Sequence, residues 1–351
     1  MNSNLHSYIS NHIALDVKEF SQNITWDNVV ADLFISNQCH LNCKHCYFGN
    51  VKNHSTPMTK QDWMTIIDKF YNLGVRHFHF SGKESSLCKD TLTLMEYVKT
   101  KNTYAGIVSN GLGNINYYNN LIDLGVDYIE FSLDGTEYGH DYIRRKGSFQ
   151  TTIKCIETIC KDTRKAQLLN ITTCLNKINI SQYFDLILLG SKIGVTKFFL
   201  TPFYVTGNAE NIDQLSVSIE EYSDFIKKTF SFLENNPNLG LRLKFCIPKS
   251  YMDQIWDNSP FLKGLIVDYF EHNISPIYKI NGNVIELSFL FYDIEYLNNI
   301  TITNDGYIIP CADDISNGSY VENSLGNIKK LSISELDGMR KSALLTQISK
   351  L

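Results

Sequence analysis

Cys39-His-Leu-Asn-Cys43-Lys-His-Cys46-Tyr47 is the stretch that decides how this chain is read, and it directly follows a mostly apolar predicted strand at residues 29–35. Three thiols at spacings of four and three residues on one strand exit can bind three corners of a cubane iron–sulfur cluster. The fourth iron then has no protein ligand, and it can chelate a small molecule through an amine and a carboxylate. The stretch therefore predicts a reactive metal site with Cys39, Cys43 and Cys46 as ligands.

Two simpler interpretations of these cysteines stay open at this point. A zinc ion could take the thiols together with His40 or His45, or the thiols could be buried without any ligand. Zinc sites more often combine CxxC with a second CxxC or HxxxH pair farther along the chain, and no such pair is present. The nine scattered cysteines favour reduced thiols plus a metal site over a disulfide framework.

Composition excludes several classes of function. The chain has 351 residues, of which 43% are hydrophobic, and 32 basic against 37 acidic residues give a formal net charge of −5. This balance supplies no overall positive field, so we expect no nucleic acid partner. The first twenty residues lack the apolar run of a signal peptide and no apolar stretch reaches membrane-spanning length, so we expect a cytoplasmic protein that does not bind a membrane.

Strands and helices alternate through the first two thirds of the chain. A helix capped by Thr59 follows the cysteine loop, and five further strands are predicted at residues 75–80, 103–108, 126–131, 166–173 and 194–200. Each strand ends in polar or glycine-rich residues and is followed by a helical segment, which predicts an α/β fold, a partial (β/α)6 barrel. Chemistry in such barrels gathers at the C-terminal ends of the strands.

The domain boundaries follow from this pattern. Residues 1–28 are expected to form an extension too short for a separate globular domain, and residues 29–210 the barrel. We expect a mainly helical connecting region at 211–287. Residues 288–351 are predicted to form a small C-terminal α+β subdomain, a β-hairpin with an Asp-Gly turn followed by a helix from about Ser334.

The CxxxCxxC spacing followed by aromatic Tyr47 resembles the signature of the radical S-adenosylmethionine (SAM) enzymes. The resemblance implies that SAM binds the open iron of a [4Fe-4S] cluster through its amino and carboxyl groups. It also implies cleavage of SAM to a 5′-deoxyadenosyl radical that abstracts hydrogen from a substrate. An external one-electron reductant of flavodoxin or ferredoxin type is then expected as a partner.

The second strand exit extends this resemblance. It reads Ser81-Gly-Lys-Glu-Ser85, where radical SAM enzymes carry a GGEP-like turn that holds the SAM amine. Gly82 allows close backbone approach and Glu84 offers a carboxylate to an ammonium group, with Ser81 beside them. Lys83 and Ser85 depart from the pattern, and an ordinary βα turn is the alternative.

Three further exits supply the other expected SAM contacts. The run from Ser132 to Arg144 is similar to that of the SPASM/twitch subgroup, which implies that Ser132 and Asp134 lie near the ribose or methionyl part and that Arg144 pairs with the SAM carboxylate. Ser109-Asn110 is a weaker match, because Asn-Gly turns are common. Leu200, at the sixth exit, is expected to pack on the adenine.

The C-terminal part also resembles the SPASM/twitch subdomain, but the cysteines of its auxiliary cluster are missing. No cysteine follows Cys311, and only the distant Cys246 remains as a further ligand. A cubane needs three or four thiolates, so we expect a single cluster. Cys311 is a candidate hydrogen donor to a substrate radical. The alternative is that it is a buried remnant of the lost site.

Taken as a family resemblance, these features imply a radical SAM enzyme that acts on a ribosomal peptide, for example by epimerisation or C–H functionalisation. A small amino-acid-like metabolite is the alternative substrate. A different class stays open as well, in which the chain is a non-catalytic iron–sulfur or zinc module for electron transfer or binding. The test that separates these classes is whether reduced protein converts SAM to 5′-deoxyadenosine.

Overall fold

The computed structural model describes residues 25–27, 29–49, 53–209, 212–247, 249–271, 276–289, 299–309 and 320–348. Its strands are β1 (Val30–Ser36), β2 (His77–Gly82), β3 (Tyr104–Ser109), β4 (Tyr128–Ser132), β5 (Leu169–Cys174), β6 (Lys197–Thr201), β7 (Arg242–Ile247), β8 (Ile277–Ile280), β9 (Asn283–Phe289), β10 (Ile300–Ile302) and β11 (Ile308–Ile309). Its helices are α1 (Lys60–Leu73), α2 (Thr91–Thr100), α3 (Ile115–Asp123), α4 (Glu137–Ile143), α5 (Ser148–Cys160), α6 (Thr163–Ala166), α7 (Tyr183–Ile193), α8 (Ile219–Asn235), α9 (Lys249–Asn258), α10 (Pro260–Glu271), α11 (Tyr320–Asn323) and α12 (Ile333–Ile348).

One sheet organises the described residues. Its eleven strands run in the order β11-β10-β1-β2-β3-β4-β5-β6-β7-β9-β8. The six predicted strands β1 to β6 are neighbours in chain order and pair in parallel. Parallel neighbours need a crossover, and helices between the strands provide it. The predicted α/β fold with a partial (β/α)6 barrel is confirmed.

Local sequence explains why α1 forms where it does. Thr59 accepts a hydrogen bond from the backbone of Asp62, whose side chain accepts one from the backbone of Thr59, so both ends of a capping box are present. Gly74 ends the helix in the left-handed region with φ of 117°. The apolar positions at helical spacing face the core, as predicted: Trp63, Ile66, Ile67 and Phe70.

The region at 211–287 differs from the expectation of a mainly helical connection. It contains α8, α9 and α10, but also β7 and β9, which extend the sheet in parallel beyond β6. β8 and β9 form a hairpin whose turn residues Asn281 and Gly282 have φ of 46° and 83°. An Asn-Gly pair between two apolar runs is a strong hairpin signal, so this turn can be predicted from the sequence.

The predicted C-terminal hairpin is confirmed, since β10 and β11 pair antiparallel around the Asp305-Gly306 turn. It does not form a layer of its own, because β10 pairs in parallel with β1 and so extends the barrel sheet. Asp305 is fully buried, and its Oδ2 accepts from the backbone N–H of His54 at 2.7 Å. The Asp-Gly turn thereby anchors the segment that follows the cysteine loop. The predicted final helix is α12.

The two faces of the barrel strands differ in burial and in chemistry. On the outer face, residues such as Leu33, Phe80 and Phe131 are fully buried in one core with the helices. The alternate residues of β2, β4, β5 and β6 keep accessible surface and form the inner face, which is largely polar. None of the helices in the described ranges is long and apolar enough to cross a membrane.

Candidate active site

The cysteine loop leaves the C-terminal end of β1 and is held in place from two sides. Cys43 is buried, and Cys39 and Cys46 are partly buried. The backbone N–H of Lys44 donates to the carbonyl of Ile143, the last residue of α4, at 2.9 Å. On the other side, the side chain of Asn208 donates to the carbonyl of Cys43 at 2.8 Å. These two hydrogen bonds attach the loop to α4 and to Asn208.

The three thiols lie close enough to influence one another. Burial raises the pKa of Cys43 to about 12 while the charge of Arg144 opposes the rise, and Cys39 and Cys46 contribute to it. Among the described residues, no three Cys, His, Asp or Glu side chains are grouped tightly enough for a single metal ion. In a cubane each thiolate binds a different iron, so a wider spacing is acceptable. The positive charge of a metal cluster would offset the cost of burying thiolates, and the donor set fits such a group.

A cavity of about 300 Å³ opens beside the thiols. Its walls come from the cysteine loop and from the exits of β2, β3 and β4, which are the positions at which a barrel of this kind collects its chemistry. Besides the three cysteines, the predicted residues that line it are Tyr47, Ser81, Gly82, Ser109, Asn110, Ser132 and Arg144. Lys83 lines it as well, and its positive charge opposes the rise that burial causes in the pKa of Cys46.

At the exit of β2, the structure explains why two of the predicted residues, Ser81 and Gly82, are found at their positions. Gly82 adopts φ of 100°, and a Cβ there would meet the carbonyl oxygen of Ser36 at 2.9 Å, so only glycine fits. Ser81 donates its hydroxyl to Asp32 Oδ1, on the inner face of β1. Burial raises the pKa of Asp32 to about 7, with the Ser81 hydrogen bond opposing. The sequence did not predict a role for Asp32, because nothing in its local pattern distinguishes it from an ordinary strand residue.

Glu84 has a different place from the one predicted. It is 1% exposed and is not among the residues that line the cavity. Its Oε1 accepts from the Ser109 hydroxyl at 2.9 Å, and its Oε2 accepts from the backbone N–H of Asn110 at 2.8 Å. The carboxylate therefore orders the exit of β3 from behind the residues that line the cavity, and its contact with the SAM amine stays a prediction.

Asp134 also lies behind the residues that line the cavity. It is fully buried, and its Oδ2 accepts from Arg144 Nε at 2.6 Å and lies 2.6 Å from His45 Nε2. Its Oδ1 accepts from the backbone N–H of Cys174 at 2.9 Å. Burial alone would raise the pKa of Asp134, but the neighbouring Arg144 and His45 outweigh it and hold the pKa below its usual range. Asp134 thus positions Arg144, which lines the cavity, instead of touching a ligand there.

Leu200 is a predicted site residue whose side chain does not line the cavity. It is fully buried in the outer core, and the alternation along β6 turns Phe199 and Thr201 inward instead. A strand with Phe198, Phe199 and Leu200 in succession gives no sequence signal for which face is the inner one. The candidate hydrogen donor Cys311 lies outside the described residues.

Comparison with known proteins agrees with this geometry. Residues 33–189 match the family model described as Radical SAM superfamily. The chain is 24% identical over 192 residues to the sporulation killing factor maturation protein SkfB of Bacillus subtilis, covering 54% of this chain and 46% of SkfB. It is 23% identical over 158 residues to the PqqA peptide cyclase of Bradyrhizobium diazoefficiens, covering 44% of this chain and 41% of the cyclase. The chain thus spans less than half the length of these two curated relatives.

Solved structures share the fold. The structure of anSMEcpe with bound AdoMet aligns with a TM-score of 0.62 at 16% identity, covering 89% of this chain and 81% of that one. The structure of Streptococcus suis SuiB bound to the precursor peptide SuiA aligns with a TM-score of 0.60 at 14% identity, covering 83% of this chain and 60% of that one. The family model thus matches the residues that contain the cysteine loop, and the solved structures share the fold, so the chain is similar to radical SAM proteins.

Proposed function

We propose that this chain is a radical SAM enzyme that acts on a ribosomal peptide. The observation that carries the proposal is that the three motif thiols and the exits of β2, β3 and β4 border one cavity. A purely structural metal site needs no such cavity, whereas a catalytic one keeps a position open for its ligand. The non-catalytic module is therefore the weaker interpretation.

The protein's own residues have distinct roles in this proposal. Cys39, Cys43 and Cys46 would hold a [4Fe-4S] cluster. When bound and reduced, such a cluster would supply the electron that cleaves SAM to a 5′-deoxyadenosyl radical able to abstract hydrogen from the substrate. Arg144, fixed by Asp134, presents a guanidinium to the cavity, a group suited to the SAM carboxylate. Ser81 and Ser132 offer hydroxyl groups to the remainder of SAM. Asn110 Nδ2 lies 3.6 Å from Cys39 Sγ, which orients this thiol.

The peptide substrate is supported by what the similar proteins act on or bind. Their names include a killing factor maturation protein and a peptide cyclase, and the SuiB structure contains a precursor peptide. The reaction also needs an external one-electron reductant, of flavodoxin or ferredoxin type. We propose a single cluster, because Cys246 is 1% exposed within the sheet on β7 and Cys311 alone cannot hold a second cubane.

The decisive experiment is anaerobic. The protein is reconstituted with iron and sulfide, reduced with dithionite and given SAM, and 5′-deoxyadenosine is measured by liquid chromatography and mass spectrometry. We expect the product with wild-type protein, together with about four irons per chain, as one cubane requires. Cys43→Ala should abolish both, while Cys160→Ala, a buried thiol of α5 outside the site, should change neither. Intact SAM in fully loaded wild-type protein would contradict the proposal.

A further inference from the structure

The inner face of the barrel continues below the cavity into a polar region that we name the lumen: Asp32, His79, Glu130, Asn170 and Thr172. Cavity residues connect directly to it. Ser81 donates to Asp32, Val108 is the register partner of Glu130, and Ser132 is the register partner of Thr172. The lumen residues therefore lie next to the cavity residues on the same strands, one layer farther from the strand exits.

Several polar groups of the lumen lack partners. Within the described ranges, His79 Nε2, Asn170 Oδ1 and Thr172 Oγ1 are shielded from solvent and make no hydrogen bond. The Glu130 carboxylate forms no hydrogen bond or ion pair with any described residue. Buried polar groups without partners are unfavourable and rare in folded proteins. Such a group of atoms next to a ligand cavity indicates that a bound partner satisfies them.

The chemistry of these atoms defines that partner. Glu130 and Asn170 are register partners on neighbouring strands, so a carboxylate and an amide oxygen stand side by side. His79 Nδ1 lies 3.4 Å from Asp32 Oδ1, and when Asp32 is ionised it favours the proton on Nδ1, which leaves Nε2 as an acceptor. The Thr172 hydroxyl can accept too. An acceptor-rich region with an unpaired carboxylate suits a cationic group that carries several N–H donors.

The neighbouring cations of the protein do not supply this charge. Lys197, on β6, donates to the carbonyl of Gln167 at 2.7 Å. Lys244, on β7, pairs with Glu286 at 2.7 Å. Among the described residues the negative charge of Glu130 is therefore left for a ligand.

We propose that the lumen binds the side chain of a lysine or arginine residue of the peptide substrate, with the adjoining peptide backbone at the mouth of the barrel, beside the cavity that SAM occupies. This rests on the proposed function for the peptide itself. Glu130 lies two residues below Ser132 on β4, a depth of about 7 Å along a strand. The long aliphatic stem of Lys or Arg crosses such a distance while its charged end reaches polar partners.

Synthetic nonapeptides test this by affinity selection. Five pools share randomised flanks and have Lys, Arg, Gln, Glu or Leu fixed at the centre. Each is mixed with the cluster-loaded protein, separated by gel filtration and measured by mass spectrometry without turnover. We expect the Lys and Arg pools to be retained about tenfold more than the Leu and Glu pools. Glu130→Gln should reduce this preference to less than about twofold, and the exposed control Glu157→Gln should keep it.

Each other outcome overturns the inference. Equal retention of all pools means that water fills the lumen, and a preference for Glu or Leu pools means that the acceptors face another ligand. A Lys and Arg preference that Glu130→Gln retains places the recognition elsewhere, provided that circular dichroism shows the variant folded. The same preparation is assayed for 5′-deoxyadenosine without peptide. Retention of the cationic pools without that product contradicts the proposed function and leaves the lumen inference standing, and product formation without any preference does the reverse.

Discussion

His45 Nε2 lies 2.6 Å from Asp134 Oδ2, a contact between residues that are 89 positions apart in the sequence. The same oxygen accepts from Arg144 Nε at 2.6 Å. One buried carboxylate therefore fixes both the loop that carries the candidate metal ligands and the guanidinium that lines the cavity. This makes Asp134 a positioning residue for the whole site.

The substitution Asp134→Asn should destabilise the fold and loosen the site. A neutral amide at this position would leave the buried Arg144 without its counter-charge, and breaking such a pair costs about 3 kcal/mol or more. We expect this loss in the free energy of unfolding of the apoprotein, measured by anaerobic urea titration, with a lower iron content after reconstitution. Asp162→Asn removes an ion pair to the highly exposed Arg164 and should change neither quantity measurably. Equal effects of the two variants would show that Asp134 has no positioning role.

Asp32 should make the stability of the protein depend on pH. Burial raises its pKa from the ordinary value of 3.8 to about 7. Between these values the folded state holds a proton that the unfolded state has lost, so this group lowers the free energy of unfolding as pH rises through this window. Asp32→Asn lacks this titration and should gain about 3 kcal/mol relative to wild type between pH 4 and pH 7.5. Urea unfolding of both apoproteins at several pH values measures the difference, and a constant difference would mean that Asp32 titrates normally.

Leu200→Ala should affect stability and leave SAM binding unchanged. Leu200 is fully buried in the outer core, so truncation leaves a cavity that costs about 3 kcal/mol. Urea unfolding gives the stability change, and equilibrium dialysis of the cluster-loaded variant gives the dissociation constant for SAM. A tenfold weaker affinity for SAM with unchanged stability would restore the expectation that this side chain packs on the adenine.

Two glycines of the same region should respond to alanine with opposite signs. Gly282 has φ of 83° in the β8–β9 turn, where alanine is strained, so Gly282→Ala should destabilise by about 1 kcal/mol. Gly264 lies inside α10 with open space around its position, and Gly264→Ala should stabilise by about 0.5–1 kcal/mol. Thermal unfolding of the two variants compares them directly. Destabilisation of similar size in both would contradict the assigned turn.

Signals that act over short stretches of chain were sufficient to predict much of the fold and to single out the candidate metal ligands. The cysteine spacing, the capping box at Thr59 and the six strand and helix repeats all depend on neighbours within a few residues, and the structure has each of these elements in place. The Asn281-Gly282 turn is also a local signal from which the β8–β9 hairpin can be predicted, but these two strands were not among the predicted ones. Apolar patterning cannot show which face of β6 points inward, because both faces carry large apolar residues.

What the sequence determined by itself was therefore the set of elements and the thiols that can hold a cluster. Only the tertiary structure decided which exit residues face the cavity and which support it from behind. Glu84 and Asp134 have the residue types of ligand contacts, but their carboxylates are occupied by groups from β3, α4 and the cysteine loop. The tertiary structure also decided that β10 pairs with β1, where Ile300 lies opposite Ala31. Hydrogen bonds between distant segments leave no local pattern, and burial then fixes which of them form.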